Sequence, residues 1–194
     1  MGAYSQLLQW HVAAGFLAVA FTLVAFWIYN QNGSKINTGT WVILAIGDTL
    51  DLASYAGMTE MWWKDMVPAT FAVASIITFG YALARKRFAW PDPFDWVIVG
   101  SDVLITTIWC LFTTATEANL MYQATTLIAF VPMYRGLING REKERPLPWL
   151  LWSLAFVFFL FSIVLNLGKW EEVVYPIVGL LTHSIVYVLA RRKA

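Results

Sequence analysis

Cysteine and charge are both scarce in this chain of 194 residues. Cys110 has no second cysteine to meet, so neither an intramolecular disulfide nor a cysteine metal site is expected. Lys, Arg, Asp and Glu together supply 13% of the residues, and the formal net charge is +1. That balance excludes a polyanionic partner, and no basic cluster interleaves with aromatic residues as a nucleic-acid surface requires. Apolar side chains fill the gap: they make up 59% of the chain, with 11 Trp, 13 Phe and 8 Tyr. A soluble domain of this size would expose more apolar surface than water tolerates. The composition is that of an all-α integral membrane protein. Residues 1–5 lack a basic region and the first apolar run is long enough to span, so no cleaved leader is expected.

A spanning helix needs about 17–25 apolar residues. Seven runs qualify, at 7–29, 40–58, 67–84, 95–114, 120–138, 148–167 and 173–190. The connectors between them are short, which leaves one membrane domain over 1–194 and a seven-helix bundle. Lys35, Arg85, Lys86, Arg87, Arg135, Arg141, Lys143, Arg145, Arg191, Arg192 and Lys193 fall on one side, against Lys64 and Lys169 on the other. Basic loops stay in the cytoplasm, so the expected topology is N-out and C-in, in the plasma (inner) membrane. Indoles favour the interface, and Trp10, Trp62, Trp63 and Trp170 are placed at outer ends. Trp27, Trp41, Trp90, Trp96 and Trp149 are placed at inner ends.

The chain repeats itself at an offset of about 107 residues. Val24 to Gly33 lies over Val131 to Gly140, each ending in Asn-Gly. Trp41 then matches Trp149, and Pro68 matches Pro176. Both halves close on Tyr-x-Leu-Ala-Arg and a basic residue, at Tyr81 and Tyr187. Two three-helix repeats follow, over 5–90 and 119–194, joined by an unmatched linker helix at 95–114. Three helices reverse the side of the chain, so the linker lets both repeats enter in the same sense and makes them parallel. This 3+1+3 layout resembles the SWEET and PQ-loop transporter superfamily. Val131-Pro132-Met133 stands where the family carries Pro-Gln, and Ala25-Phe26 stands at the matching place in the first helix. The resemblance implies a solute site between the two repeats, which rock to expose it alternately.

Polar residues inside the apolar runs are the candidates for that site. An ionisable side chain at mid-bilayer costs about 2.5–3.5 kcal/mol on insertion scales, so it faces the bundle interior and usually has a task. Asp48, Asp51 and Tyr55 share one face of the second helix through spacings of three and four. Two carboxyls so close in a low dielectric are not both expected to be charged, so at least one is expected to hold a proton. A structural network satisfied by neighbouring hydroxyls or a base is the plainer reading. The matching positions in the sixth helix are Phe156 and Phe159, so the acids belong to one repeat only. In the seventh helix His183 is a candidate relay, with Tyr187 a turn away and Ser75 as its counterpart in the third. Asp102 in the fourth helix and Tyr122 and Gln123 in the fifth complete the set, with Thr125 and Thr126 beside them. His11 reads as interfacial, Glu117, Glu171 and Glu172 as solvated, and 141–145 as a solvated cytoplasmic loop.

The expected function is transport of a small polar or cationic solute, coupled to protons through Asp48 and Asp51. A non-transporting seven-helix receptor is the alternative, and an intramembrane hydrolase built on Asp48, Asp51 and His183 comes third. A retinal protein is excluded, because the last helix holds no lysine. No catalytic residue, metal or other cofactor is expected. The expected partners are membrane lipid and a small-molecule solute, not nucleic acid, and a homo-oligomer is left open.

Overall fold

In an apolar run of membrane length the backbone finds no partner but itself, and helix is the outcome. The computed structural model describes residues 2–31, 36–59, 61–89, 93–112 and 114–192. Among them seven helices form: α1 (Gly2–Gln31), α2 (Thr38–Met58), α3 (Met66–Ala84), α4 (Pro93–Phe112), a fifth in two pieces, α5 (Ala115–Ala129) and α6 (Val131–Ile138), then α7 (Pro146–Leu165) and α8 (Val174–Arg191). Among the described residues, four segments are long and apolar enough to cross a membrane: Trp10–Gln31, Trp62–Ala84, Pro146–Leu165 and Trp170–Arg191. In α2 the acids Asp48 and Asp51 dilute the apolar run, and the fifth helix is interrupted.

Two boundaries depart from the sequence expectation for local reasons. The fifth helix breaks after Ala129 because Pro132 has no N–H and its ring crowds the carbonyl four residues back. It also starts earlier than expected. The Thr114 hydroxyl accepts the Glu117 N–H at 3.3 Å, and the Glu117 carboxylate accepts the Thr114 N–H at 2.9 Å. That reciprocal cap turns the expected connector 115–119 into the first turn of α5. Two 3-10 turns, Trp62–Asp65 and Trp170–Val173, lead into α3 and α8 and mark one end of the bundle. At the other, basic end the Arg87 guanidinium donates to the Asn30 carbonyl at 3.1 Å, beside a two-residue parallel pairing of Ile36–Asn37 with Phe88–Ala89.

The packing comes in matched sets. Helix α1 lies along α7 and touches α3, whereas α5 lies along α2 and, with α6, touches α8. Helix α2 packs on α3 as α7 packs on α8. Exchanging the first three helices with the last three maps each pairing onto another, and α4 leans from outside on α5 and α2. The centre is aromatic: Trp41, Trp149, Trp152, Phe130, Phe156 and Phe159 are fully buried. Trp41, Trp149 and Trp63 are therefore core residues, a correction to their expected place in interfacial belts. Trp10, Trp27, Trp62, Trp96 and Trp170 are exposed, and Trp90 lies outside the described residues. The outward faces are apolar too, with Val73, Ile77, Leu104, Leu111 and Val164 more than half exposed. Such a surface calls for lipid against it rather than water.

Candidate functional site

Spacings of three and four keep a stripe of side chains on one helical face. On α2 the stripe is Trp41, Leu44, Asp48, Asp51 and Tyr55, and on α7 it is Trp149, Trp152, Phe156 and Phe159. Helix α3 adds Phe71 and Ser75, and α8 adds Tyr175, Gly179 and His183. These stripes converge on a cavity of about 30 Å³ with Asp48, Ser75, Gln123, Thr126 and His183 on its wall. That is room for a water or two. Besides Leu44 and Gly179 the rest of the wall is rings: Phe26, Trp41, Phe71 and Phe130 from the first five helices, and Trp149, Trp152, Phe156 and Tyr175 from α7 and α8. Gly179 makes this closure possible. A Cβ there would overlap the Phe156 ring, so any side chain would displace that buried ring from the cavity wall.

The two acids are held differently. The Ser75 hydroxyl donates to Asp48, on the cavity wall. Asp51 sits one layer behind, its Oδ1 accepting from Asn119 Nδ2 at 2.7 Å and Gln123 Nε2 at 2.8 Å. Neither carboxyl meets a basic side chain among the described residues. Two ionised carboxylates enclosed without a counter-charge carry a large desolvation cost, so charge balance calls for a proton or a cation beside them. His183 lies across the cavity. Its Nδ1 sits 2.8 Å from the Gly179 carbonyl, which only accepts, so Nδ1 carries the hydrogen. Five rings surround the imidazole with centroids 5.1 to 5.8 Å away: Phe71, Phe130, Trp149, Trp152 and Phe156.

Both ends of the cavity are stopped. Toward the 3-10 turns, Tyr175 packs on Tyr55 at 5.5 Å and on Phe159 at 5.8 Å. The Tyr55 hydroxyl donates to the Glu172 carbonyl at 3.1 Å. Beyond it the Lys64 ammonium meets the Glu172 carboxylate at 2.6 Å, both buried. The pair links the two 3-10 turns at positions 108 residues apart, the offset that also relates Trp41 to Trp149. Toward the basic end, Tyr29 lies 5.1 Å from Trp41, 5.5 Å from Trp152 and 6.0 Å from Trp149. Below these rings Glu144 turns inward and accepts from the Tyr29 hydroxyl at 3.1 Å and from Trp149 Nε1 at 3.3 Å. Burial pushes the Glu144 carboxyl up to about 8; the bonds from Trp149 and Tyr29 pull it down, and the Glu142 charge adds to the rise.

Asp48, Ser75, Gln123 and His183 thus meet at one cavity, with Asp51 bonded directly behind. Tyr55 belongs to the stopper, and Tyr122 is buried where Gly47 leaves room for its hydroxyl. Tyr187 stands apart, its hydroxyl accepting a long 3.5 Å bond from Arg191. The Asp102 side chain lies outside the described residues. Asp48, Asp51 and His183 form no three-ligand cluster among the described residues. Three expectations need correction. Glu172 and Glu144 are buried and bonded rather than solvated, and His11 is buried against Trp63 at 4.4 Å rather than interfacial. Sequence reasoning missed Asn119 and the aromatic wall. The signal was present: Asn119 stands one turn before Gln123, and Trp149, Trp152, Phe156 and Phe159 repeat at helical spacing.

No family model matches the chain, and neither a curated protein nor a solved structure does.

Proposed function

We propose that this chain is a secondary transporter for a small polar or cationic solute, coupled to protons through Asp48 and Asp51. It crosses the membrane seven times, N-out and C-in, as two parallel three-helix repeats (5–90 and 119–194) around a linker helix (95–114). The observation that carries the reading is a polar-and-aromatic cavity stopped at both ends, each stopper drawing residues from both triplets. Lys64 and Tyr55 meet Glu172 and Tyr175 at one end, and Tyr29 and Trp41 meet Glu144 and Trp149 at the other. The matched packing of α1–α3 and α5–α8 supports a repeat related by an axis along the bundle, and rocking one triplet against the other would open one stopper at a time. This is the geometry the resemblance to SWEET and PQ-loop transporters leads one to expect.

The test is flux. Reconstituted protein should drive solute uptake that depends on an imposed pH gradient, and Asp51→Asn should abolish that dependence. Uptake in Asp51→Asn that still follows the gradient would overturn the coupling role. Tight binding with no flux in liposomes selects the receptor reading instead.

A further inference from the structure

We infer that the cavity takes a small organic cation, an amine or quaternary ammonium whose far end carries a hydrogen-bond acceptor such as a hydroxyl or carbonyl oxygen. This rests on the reading of the cavity as the solute site.

Hydrogen-bonding supply argues first. Four donors on the wall are engaged: the Ser75 hydroxyl on Asp48, one Gln123 Nε2 hydrogen on Asp51, the Thr126 hydroxyl on the Tyr122 carbonyl at 3.1 Å, and His183 Nδ1 on Gly179. Apart from two indole N–H groups farther along, what the Asp48 end offers a ligand is chiefly acceptor, foremost the Asp48 carboxylate. A polyol enclosed here would leave several hydroxyls unsatisfied, each at a cost of its desolvation. An anion would meet a carboxylate and neither a lysine nor an arginine on the wall. An ammonium group, which only donates and carries the missing positive charge, fits both conditions. The rings argue second, because their faces attract a desolvated cation and eight of them form the wall.

The far end is set by two orphan donors. Trp152 Nε1 and Trp41 Nε1 are buried with no hydrogen-bond partner among the described residues, although both side chains line the cavity. Trp41 Nε1 lies near the Tyr29 hydroxyl without reaching hydrogen-bond geometry. Buried indole N–H groups normally find an acceptor. Asp48 lies two turns along α2 from Trp41, about 10 Å along the axis. Trp152 stands one turn nearer, since its repeat counterpart on α2 is Leu44. A ligand with its charge at Asp48 and an oxygen one or two turns toward the basic end satisfies both sets. The closed cavity of about 30 Å³ is smaller than such a cation, so the rings around it must part to admit one, and the cost of parting them favours a compact molecule over a polyamine.

Choline, its neutral isostere 3,3-dimethyl-1-butanol and glucose separate the possibilities, each added to the purified full-length protein while melting temperature and tryptophan fluorescence are followed. Choline should raise the melting temperature and perturb the fluorescence, and the neutral isostere should bind about tenfold or more weakly. Asp48→Asn should weaken choline by about tenfold or more, with Asp48→Glu restoring most of it. Trp152→Phe keeps a ring face but loses the N–H, and should weaken choline about fivefold while sparing tetramethylammonium. Equal binding of choline and its isostere overturns the inference, as does unchanged choline affinity in Asp48→Asn. A response to glucose alone, or to none of the ammonium probes, overturns it too. Choline that binds but is not carried into proteoliposomes removes the transport reading and leaves the cation site standing; glucose carried while choline is ignored does the reverse.

Discussion

The two ends of the cavity are closed by different chemistry. At the 3-10 turns the closure is an ion pair, Lys64 with Glu172, between positions 108 residues apart. At the basic end it is one acid, Glu144, held by the neutral donors Tyr29 and Trp149. Separating an ion pair with both partners buried exposes two ions at once. A buried acid without a cation changes its charge near neutrality, as the rise to about 8 at Glu144 implies. One end is thus latched by geometry and the other is biased by pH.

The largest effect should come from breaking the latch on one side. Lys64→Ala leaves Glu172 buried and uncompensated, and should destabilise the protein by about 3–5 kcal/mol in thermal or denaturant unfolding. A joint apolar replacement, Lys64→Met with Glu172→Leu, should recover most of that loss. If Lys64→Ala alone is harmless, the pair is not the closure described here. At the other end the sign is fixed by the direction of the shift. Glu144 binds its proton more tightly folded than unfolded, so its stabilising contribution is complete below the ordinary value of 4.5 and is lost as pH rises through about 8. Melting temperature should therefore fall across that window, by up to about 1.4 kcal/mol of stability per pH unit. Glu144→Gln should flatten the slope, and an unchanged slope would place the titrating group elsewhere. The smallest effect belongs to Trp149→Phe, which removes one donor to Glu144 while keeping a ring. It should cost about 1 kcal/mol and move the Glu144 titration further upward, readable as a shifted midpoint of the same pH profile.

Much of the site could be read before the fold was known. Asp48, Asp51, Ser75, Gln123 and His183 are polar residues inside apolar runs, and burying them is costly enough that they had to gather. The Thr114–Glu117 cap was also readable, being a Thr and a Glu three residues apart at a helix start, yet the apolar count alone began that helix later. The aromatic wall was harder. In a chain with 11 Trp, an indole near a helix end reads as interfacial, and only contacts across helices separate Trp149 in the core from Trp170 at the surface. Tyr187 misled for the same reason. It lies one turn from His183 in sequence, but on α8 it faces Arg191 rather than the cavity.

Composition and helical periodicity decide that this chain forms apolar helices, how many there are, and which face of each carries its polar groups, because a backbone in an apolar run must bond to itself. Partnership is a different matter. Lys64 and Glu172 sit 108 residues apart, and Glu144 sits 115 from Tyr29, so no local rule relates them. Their burial is tolerated only because helix packing brings each acid to its donors, and packing depends on side-chain shape across helices, which spacing along one helix does not encode.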